Sequence, residues 1–461
     1  MDRVEITDSF KETRAAGKKL RARIKRSEHG SFKPSGRDPV SIIEEQNQTR
    51  LQQLVPVRIG RMLESRFAYY RGTAGPMAFD LSTEVRTDLR VVGCGDAHVA
   101  NFGLFASPDR RMIFDLNDFD EAGPSPWEWD VKRLVASVEI GFRHRGFDAA
   151  ASREACRGAV REYRERLFIL AGMDAIERYY FRVEAQDMRD MAVDRAGQKA
   201  IDKTMKKARR RNSDRVLSKI TTAEKDGVPR IENQPPILQH IKDAVSIDEV
   251  THIFERYRET LRPDISLLLS RFELVDYALR VVGVGSVGTR CLIFLLIGPQ
   301  GEPVFLQLKE AQRSVLETYG GIPPSPLIGL GEDNTSGQGF RVVSSQQVLQ
   351  AASDPFLGWI TGVRGIDYYG RQFRDMKGSA DLEALTVGQF ARYGRVCGAL
   401  LARAHSQSPG WAAILGYLGK SDVFDRSIAD WSKSYADQVE TDYEALEAAV
   451  KSGRIPCETG I

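Results

Sequence analysis

The sequence predicts an α+β protein in which a small antiparallel sheet is combined with larger, mainly helical segments. A β-rich region begins near residue 272 and contains three apolar runs, at 277–284, 291–297 and 304–308. Glycine-rich turns separate these runs, which is typical of an antiparallel meander. On both sides of this region, apolar residues recur at helical spacing. The chain has no apparent internal repeat.

Composition narrows the class of protein. At 461 residues the chain is long enough for about two or three domains. The 66 basic residues nearly balance the 63 acidic ones, whereas nucleic-acid-binding domains are usually strongly basic. Five scattered cysteines show neither zinc nor disulfide spacing, which favours a reducing compartment. With a polar N-terminus and no long apolar run, we expect a soluble cytoplasmic protein that binds neither nucleic acid nor membranes.

The N-terminal half is predicted to be mainly helical. Residues 1–38 are basic and are expected to form a solvated arm, an anion-binding role being the alternative. Asp38 and Pro39 begin a helical pattern, and a second helix is predicted at 59–70. Further helical patterns cover 131–140 and 150–171. A basic cluster at 203–211 is either an exposed helix face or part of a site for an acidic ligand.

The C-terminal part alternates between helices and short strands. A helix is predicted at 313–319, and a loop rich in proline and glycine follows at 320–340. The remaining predictions are a helix at 344–352, strands at 356–363 and 367–374, and long amphipathic helices at 387–405 and 421–451.

The most informative stretch is 91–130, where polar residues follow two apolar strands. Asp96, His98 and Asn101 follow the first strand, and Asp115, Asp118 and Asp120 follow the second. Mg²⁺ prefers oxygen ligands and keeps some of its water, so one Asn and one or two Asp suffice to bind it. An Asp five residues before a metal-binding Asn is the spacing of phosphotransferase catalytic loops. Asp115 and Asp118, which lie 14 and 17 residues after Asn101, are the alternatives for the main ligand.

A second motif, Gly283-Val-Gly285-Ser-Val-Gly288, matches G-x-G-x-x-G. In a dinucleotide-binding fold a helix follows this motif, whereas in a kinase it lies in a hairpin. Here strand-forming residues follow, which favours the hairpin. Lys309 lies 21 residues after Gly288 in an apolar strand, on the face that it shares with Phe305.

A lysine in so apolar a strand is costly to bury unless an anion meets it. Phosphate of ATP is one such anion; the alternative is an edge-strand lysine that points to water. Glu317 is the preferred carboxylate to hold Lys309, and Glu310 is the second choice.

Together these motifs resemble the protein-kinase-like superfamily, especially its aminoglycoside phosphotransferase branch. Gly95-Asp96-Ala-His98-Val-Ala-Asn101 is similar to the H-G-D-x-H-x-x-N loop of those enzymes. Asp118-Phe-Asp120-Glu-Ala-Gly123 is similar to their I-D-F-D-D-A-G metal segment, and Trp129-Asp130 lies where the tyrosine-aspartate pair of their P-x-Y-D-L-A segment would be. The chain as a whole also resembles a bacterial family of unknown function.

The resemblance implies a kinase-like two-lobed fold in circularly permuted order, because the catalytic-type loop precedes the glycine loop. Its parts are a basic arm (1–38), a helical lobe with the catalytic and metal loops (39–265), a β-rich nucleotide-binding lobe (266–376) and C-terminal helices that complete the helical lobe (377–461). The helix that ends at His405 corresponds to the one that normally leads into the catalytic loop. Permutation moves chain ends and keeps packed contacts.

The implied activity is transfer of the γ-phosphoryl group of ATP, with Mg²⁺, to a hydroxyl of a small molecule or protein. Asp96 would accept the proton of that hydroxyl, and His98 would brace the loop. Asn101 and Asp118 would hold Mg²⁺, with help from Asp120 or Asp115. The three glycines, Lys309 and Glu317 would bind the nucleotide, Asp130 would tie its helix to the catalytic loop, and 372–376 would form the hinge beside adenine.

Three other functions remain open at this point. A metal-dependent phosphoesterase would use Asp96 and His98 as ligands, although the chain has only six histidines. A nucleotide-binding pseudokinase would act through partners. A dinucleotide oxidoreductase is the least favoured, because no helix follows the glycine motif.

Overall fold

The computed structural model describes residues 10–190, 195–209, 213–223, 228–240, 247–281, 283–325, 327, 337–362, 365–373 and 376–460. It is a mixed structure with small antiparallel sheets and a larger helical part, as the sequence predicts.

The helices lie mainly before and after the largest sheet. Their bounds are α1 (Phe10–Leu20), α2 (Pro39–Gln48), α3 (Val55–Met62), α4 (Arg66–Gly72), α5 (Ala74–Ser82), α6 (Trp127–His144), α7 (Ala149–Leu170), α8 (Ala175–Tyr180), α9 (Ala185–Asp190), α10 (Arg195–Arg209), α11 (Ser213–Ile220), α12 (Ile247–Glu259), α13 (Pro263–Leu269), α14 (Val315–Thr318), α15 (Gly337–Leu349), α16 (Val387–His405), α17 (Trp411–Leu418) and α18 (Val423–Lys451).

The strands form one six-stranded sheet and three two-stranded ribbons. Their bounds are β1 (Arg90–Gly93), β2 (Phe102–Ala106), β3 (Met112–Leu116), β4 (Gly123–Pro126), β5 (Thr221–Ala223), β6 (Pro229–Ile231), β7 (Leu238–Gln239), β8 (Glu273–Arg280), β9 (Cys291–Ile297), β10 (Pro303–Glu310), β11 (Gly358–Thr361) and β12 (Asp367–Gln372). The ribbons pair β1 with β4, β2 with β3, and β5 with β6.

The six-stranded sheet has the order β11-β12-β10-β9-β8-β7, and all of its neighbouring strands are antiparallel. Strands β8, β9 and β10 form the predicted meander, and β9 covers the predicted residues. Strand β8 begins at Glu273 and ends at Arg280, so it lies four residues earlier than the predicted 277–284; beyond its end, Gly283 has a φ of +70°. Phe305 packs on one face and Leu306 and Leu308 on the other, as alternation predicts.

The helical part is built around α6, α7, α16 and α18, whose apolar faces share the largest core. Helix α16 has the predicted bounds. Helix α15 begins at Gly337, which is seven residues before the predicted start at 344. The long predicted helix at 59–70 is interrupted: α3 ends at Met62, and Ser65 caps α4 by accepting a hydrogen bond from the Ala68 amide.

The prediction of a solvated basic arm is wrong in that the described part of the arm packs on the helical part, although the side chains of Lys18, Lys19, Arg23 and Lys25 are exposed as predicted. Helix α1 packs on α17, and a Cβ added at Gly17 would overlap the Ala413 carbonyl oxygen. Arg21 donates a 2.7 Å hydrogen bond to the Tyr417 carbonyl, and Arg26 donates one of 2.5 Å to the Leu418 carbonyl. Those carbonyls end α17, where cations are favourable, so these basic residues stabilise the fold.

The basic cluster at 203–211 lies partly in α10, in which Met205 and Ala208 are buried. Residues 210–212 lie outside the described part. None of the described helices is both long and apolar enough to cross a lipid bilayer.

Candidate active site

The loop from Gly95 to Asn101 is fixed by a buried carboxylate. It follows β1, and Asp130 of α6 accepts hydrogen bonds from the amides of Cys94 (2.6 Å) and Gly95 (2.8 Å). The Nε2 atom of His405, at the end of α16, lies 3.1 Å from the same carboxylate. The prediction that Asp130 ties its helix to this loop is confirmed. Gly95 has a φ of +75°, and a Cβ there would meet the Glu121 carbonyl oxygen.

Asp96 is held by a buried arginine that the sequence analysis missed. The Nε atom of Arg133 donates a 2.8 Å hydrogen bond to Asp96 Oδ1. Burial, the largest single influence, would by itself raise the pKa of Asp96. The charge and hydrogen bond of Arg133, together with the nearby His98 and Arg71, outweigh it and leave the pKa below its ordinary value. Asp96 is therefore ionised near neutral pH.

His98 lies near the Asp96 carboxylate, and Asn101 contacts the backbone of Asp96. His98 Nε2 lies 3.7 Å from Asp96 Oδ2, and burial lowers the pKa of His98 to about 3, so the ring is neutral. The Nδ2 group of Asn101 donates to the carbonyls of Asp96 and Asp118, both at 3.0 Å. Its Oδ1 accepts no hydrogen bond from the described residues and is available to a cation or a donor.

The second loop carries the carboxylates that meet Lys309. The Nζ atom of Lys309 lies 2.7 Å from Asp120 Oδ2 and 3.4 Å from Asp118 Oδ1. Lys309 is only 3% exposed, whereas the Asp118 side chain is 47% exposed. Tyr369 on β12 donates a 2.5 Å hydrogen bond to Asp120 Oδ1. Burial would lower the pKa of Lys309, but the two carboxylates raise it well above its ordinary value.

Three residues do not make the contacts predicted for them: Glu317 and Glu310 as partners of Lys309, and Asp115 as a metal ligand. The prediction that Glu317 or Glu310 holds Lys309 is wrong: Glu317 Oε2 pairs with Arg313 at 3.0 Å, and Glu310 Oε2 with Arg290 at 3.1 Å. Asp115 is 1% exposed and accepts hydrogen bonds from the amides of Leu116 and Ala351, both at 2.9 Å. Both oxygens of Asp115 are bonded to backbone amides, so Asp115 stabilises the core and is not available as a ligand in the cleft.

The glycine loop forms the predicted hairpin turn between β8 and β9. Gly283 and Gly288 have φ values of +70° and +90°, which side chains rarely adopt. The hydroxyl of Ser286 donates a 3.1 Å hydrogen bond to Asp120 Oδ2. Arg61 donates a 2.7 Å hydrogen bond to the Gly283 carbonyl. The loop is therefore anchored both to the aspartate loop and to α3.

The aspartate loop is also held from α15. Arg341 is fully buried and donates hydrogen bonds to the carbonyls of Asp120 (2.9 Å) and Ala122. Arg133 and Arg341 were both missed. Charged residues within an otherwise apolar helical segment, as at Lys132 and Arg133, are a usable signal, because a charge buried there needs a partner.

One cleft contains these groups. Its lining includes Asp96, Asn101, Asp118, Asp120, Glu121, Gly285 and Ser286, together with Arg50, Arg58 and Arg71. Burial raises the pKa of Glu121 to about 7. No cluster of three or more His, Cys, Asp or Glu side chains suited to a metal occurs within the described ranges. Asn101 Oδ1 and Asp118 Oδ2 are nevertheless free of described partners, which fits Mg²⁺ held by few protein oxygens.

The hinge predicted at 372–376 is described only in part, since residues 374 and 375 lie outside the described residues. Just beyond it, the amide and carbonyl of Gly378 exchange hydrogen bonds of 2.8 and 2.7 Å with Leu104 on β2.

Comparison with known proteins gives one match. No curated protein and no solved structure matches the chain. A family model described as "Uncharacterized protein conserved in bacteria (DUF2252)" matches residues 50–449, which include all the candidate site residues. The predicted membership of a bacterial family of unknown function is confirmed: the chain belongs to this family.

Proposed function

We propose that this protein is an ATP- and Mg²⁺-dependent phosphotransferase that transfers the γ-phosphoryl group to a hydroxyl acceptor. The observation that carries the proposal is the contact between Lys309 and the aspartate loop. Lys309 Nζ lies 2.7 Å from Asp120 and 3.4 Å from Asp118, although 189 and 191 residues separate these partners along the chain. Two motifs that resemble the halves of a kinase site thus face one cleft.

The arrangement of the sheet supports this proposal. In protein kinases a glycine loop covers the phosphates, and the phosphate-binding lysine lies on the third strand. Here the glycine loop connects β8 to β9, and Lys309 lies on β10, the third strand of the same meander.

The position of α16 supports the permuted order. Ser408, just after α16, accepts a 2.8 Å hydrogen bond from the Val92 amide on β1. The end of this helix therefore lies beside the strand that leads into the Asp96 loop. In a kinase of ordinary order the chain would pass directly from one to the other, and a circular permutation would change only this connection.

Each residue has a specific role in the proposed reaction. Asp96 Oδ2 accepts the proton of the attacking hydroxyl, while Arg133 fixes the other carboxylate oxygen. Asn101 Oδ1 and Asp118 Oδ2 would hold Mg²⁺, which supplies neutralisation of phosphate charge. Lys309 binds phosphate, and the glycine-loop amides approach the same group.

A second function, nucleotide binding without transfer, has two observations in its favour. Arg133 lowers the pKa of Asp96, which makes it a weaker base. In addition, the lysine of an active kinase pairs with a helix glutamate, whereas Lys309 pairs with Asp120. In our account phosphate oxygens replace Asp120 as the partner of Lys309 when ATP binds.

The test is ATP turnover by the purified full chain with Mg²⁺, followed by mass spectrometry for autophosphorylation and for phosphorylated metabolites in a lysate. The proposal expects Mg²⁺-dependent consumption of ATP and a product heavier by one phosphoryl group. Nucleotide binding without any transfer would favour the pseudokinase. Hydrolysis of a simple phosphoester without ATP would favour the phosphoesterase.

A further inference from the structure

The cleft has a basic corner that the proposed catalytic roles do not use. It consists of Arg58 on α3, Arg71 at the end of α4, and Ala74 and Gly75 at the start of α5. Arg58, Arg71 and Ala74 line the same cleft as Asp96 and Asp118. We call these four residues the basic corner.

Arg58 is a buried cation with neutral partners. It is 0% exposed, and its guanidinium donates to Asn47 Oδ1 (2.5 Å), Gln46 Oε1 (3.1 Å) and the Gly72 carbonyl (3.4 Å). Its Nε group is buried without a hydrogen-bond partner. Burial of a charge without a counter-charge is costly, so an anion from outside the chain would complete this site.

Arg71 makes fewer polar contacts than Arg58 within the described residues. Its guanidinium makes no hydrogen bond and no ion pair within the described residues, and its Nε group is buried without a partner. Burial lowers the pKa of Arg71, while the charges of Asp96 and Asp118 act in the opposite direction. Arg71 therefore lies within electrostatic reach of the carboxylate that would activate the acceptor.

Helix α5 contributes a helix N-terminus to the basic corner. The helix has nine residues, and no side chain caps its N-terminus. The hydroxyl of its N-cap residue, Thr73, donates to the carbonyls of Tyr69 and Tyr70 and so does not cap the helix. Its first turn has no acidic residue. The amides of Ala74 and Gly75 have no acceptor in the described part of the chain. Free amides at a helix N-terminus bind anions.

We propose that the basic corner binds an oxyanion of the acceptor, which makes the acceptor a small hydroxy compound with a phosphate or carboxylate group. The inference rests on the proposed function, since Asp96 places the reacting hydroxyl near Arg71. The nucleotide phosphates have other partners, namely Lys309 and the glycine loop. A polycationic acceptor would be repelled by the same two arginines.

The test is isothermal titration of the full chain with inorganic phosphate at constant ionic strength. It is done with and without Mg²⁺ and a non-hydrolysable ATP analogue, and malonate replaces phosphate in a parallel titration. Arg71→Gln removes a guanidinium that has no described hydrogen bond to lose, so folding should persist. Arg66→Gln is the matched control, because Arg66 lies on the same helix but pairs with Glu440 at the surface.

We expect the wild type to bind phosphate or malonate both with and without the analogue; whichever anion binds more tightly identifies the acceptor group. R71Q should weaken this binding about tenfold or more, which is the loss of one charged hydrogen bond. The affinity of R71Q for the ATP analogue should stay unchanged, and R66Q should bind both ligands as the wild type does.

Three results would overturn the inference: no binding of either anion, mutual exclusion of anion and analogue, or equal loss in R71Q and R66Q. If the analogue fails to bind while R71Q still abolishes anion binding, the proposed function fails and the acceptor role fails with it. The oxyanion site itself would remain.

Discussion

Asp96 is the residue on which the proposed chemistry depends, and its contact with Arg133 determines how it is best tested. Asp96→Asn keeps an oxygen that can accept the hydrogen bond from Arg133 Nε. We expect the variant to fold, because no buried arginine loses its acceptor. Phosphoryl transfer should fall about 10²- to 10⁴-fold, the contribution of a positioned general base. Affinity for the ATP analogue should be retained.

The measurement is the transfer rate under saturating ATP and Mg²⁺, with the melting temperature as a folding control. Unchanged transfer in D96N would remove Asp96 from the mechanism. A large loss of melting temperature would show instead that its charge is needed to hold Arg133.

The burial of His98 predicts how the stability of the fold depends on pH. Burial lowers its folded pKa from 6.5 to about 3, so below pH 6.5 the unfolded chain binds a proton at this residue that the folded chain does not. Stability is therefore fully present above pH 6.5 and is lost as pH falls towards 3. Replacing His98 by Gln should reduce this loss by about 1.4 kcal/mol per pH unit, which corresponds to one proton.

Urea denaturation at several pH values between 6.5 and 5 checks this slope. Replacing the exposed His252 by Gln is the control and should leave the slope unchanged. Parallel slopes for the wild type and H98Q would mean that His98 is protonated in the folded protein.

At the same scale, motif spacing could select Asp96, Asn101, Asp118 and Lys309 as candidates, because each belongs to a short pattern with a chemical meaning. Partners that are distant in sequence could not be identified. Arg341 meets Ala122 across 219 residues, and no local pattern reports such a contact. The assignment of Glu317 to Lys309 failed for the same reason, since proximity in sequence was the only guide.

At the scale of elements, the close packing of α1 on α17 predicts that an added side chain in this contact lowers the stability of the fold. Gly17→Ala should destabilise the protein by about 1–3 kcal/mol, because the added methyl group would overlap the Ala413 carbonyl and force the helices apart. Gly388→Ala in α16 is the control: the nearest atom to its Cβ is 3.8 Å away, on the flexible side chain of Arg392. It should be neutral or stabilise by up to about 1 kcal/mol.

Urea unfolding of both variants gives the comparison. Equal stability of G17A and the wild type would mean that the N-terminal helix does not pack as described.

Elements with a strong local pattern were predictable, and those that depend on tertiary contacts were not. The alternating meander and the amphipathic α16 were predicted closely, because burial of one face imposes the period. Helix α17, which was not predicted, is buried along its whole length and so has no polar face to reveal its period. The basic N-terminal segment was misread because two of its arginines, Arg21 and Arg26, bond to carbonyls of that same helix.

At the scale of the whole molecule, the proposed function requires that two distant segments bind one ligand. The ATP analogue with Mg²⁺, at about 100 times its dissociation constant, should stabilise the wild type by about 2.7 kcal/mol. Lys309→Met and Asp118→Asn should each abolish this gain, although the two residues lie in different parts of the chain. Chemical denaturation with and without ligand measures the gain.

Arg66→Gln serves again as the control and should keep the full stabilisation. Loss of the gain in K309M but not in D118N would show that only the sheet side of the cleft binds the ligand.

The most direct test of the central claim is a crystal structure of the protein with Mg²⁺ and the ATP analogue. We predict the triphosphate between the glycine loop and the Asp96 loop, with Lys309 Nζ on a phosphate oxygen and the metal on Asn101 and Asp118. A nucleotide bound elsewhere, or a cleft in which Lys309 keeps its contact with Asp120 while the nucleotide is bound, would contradict the account.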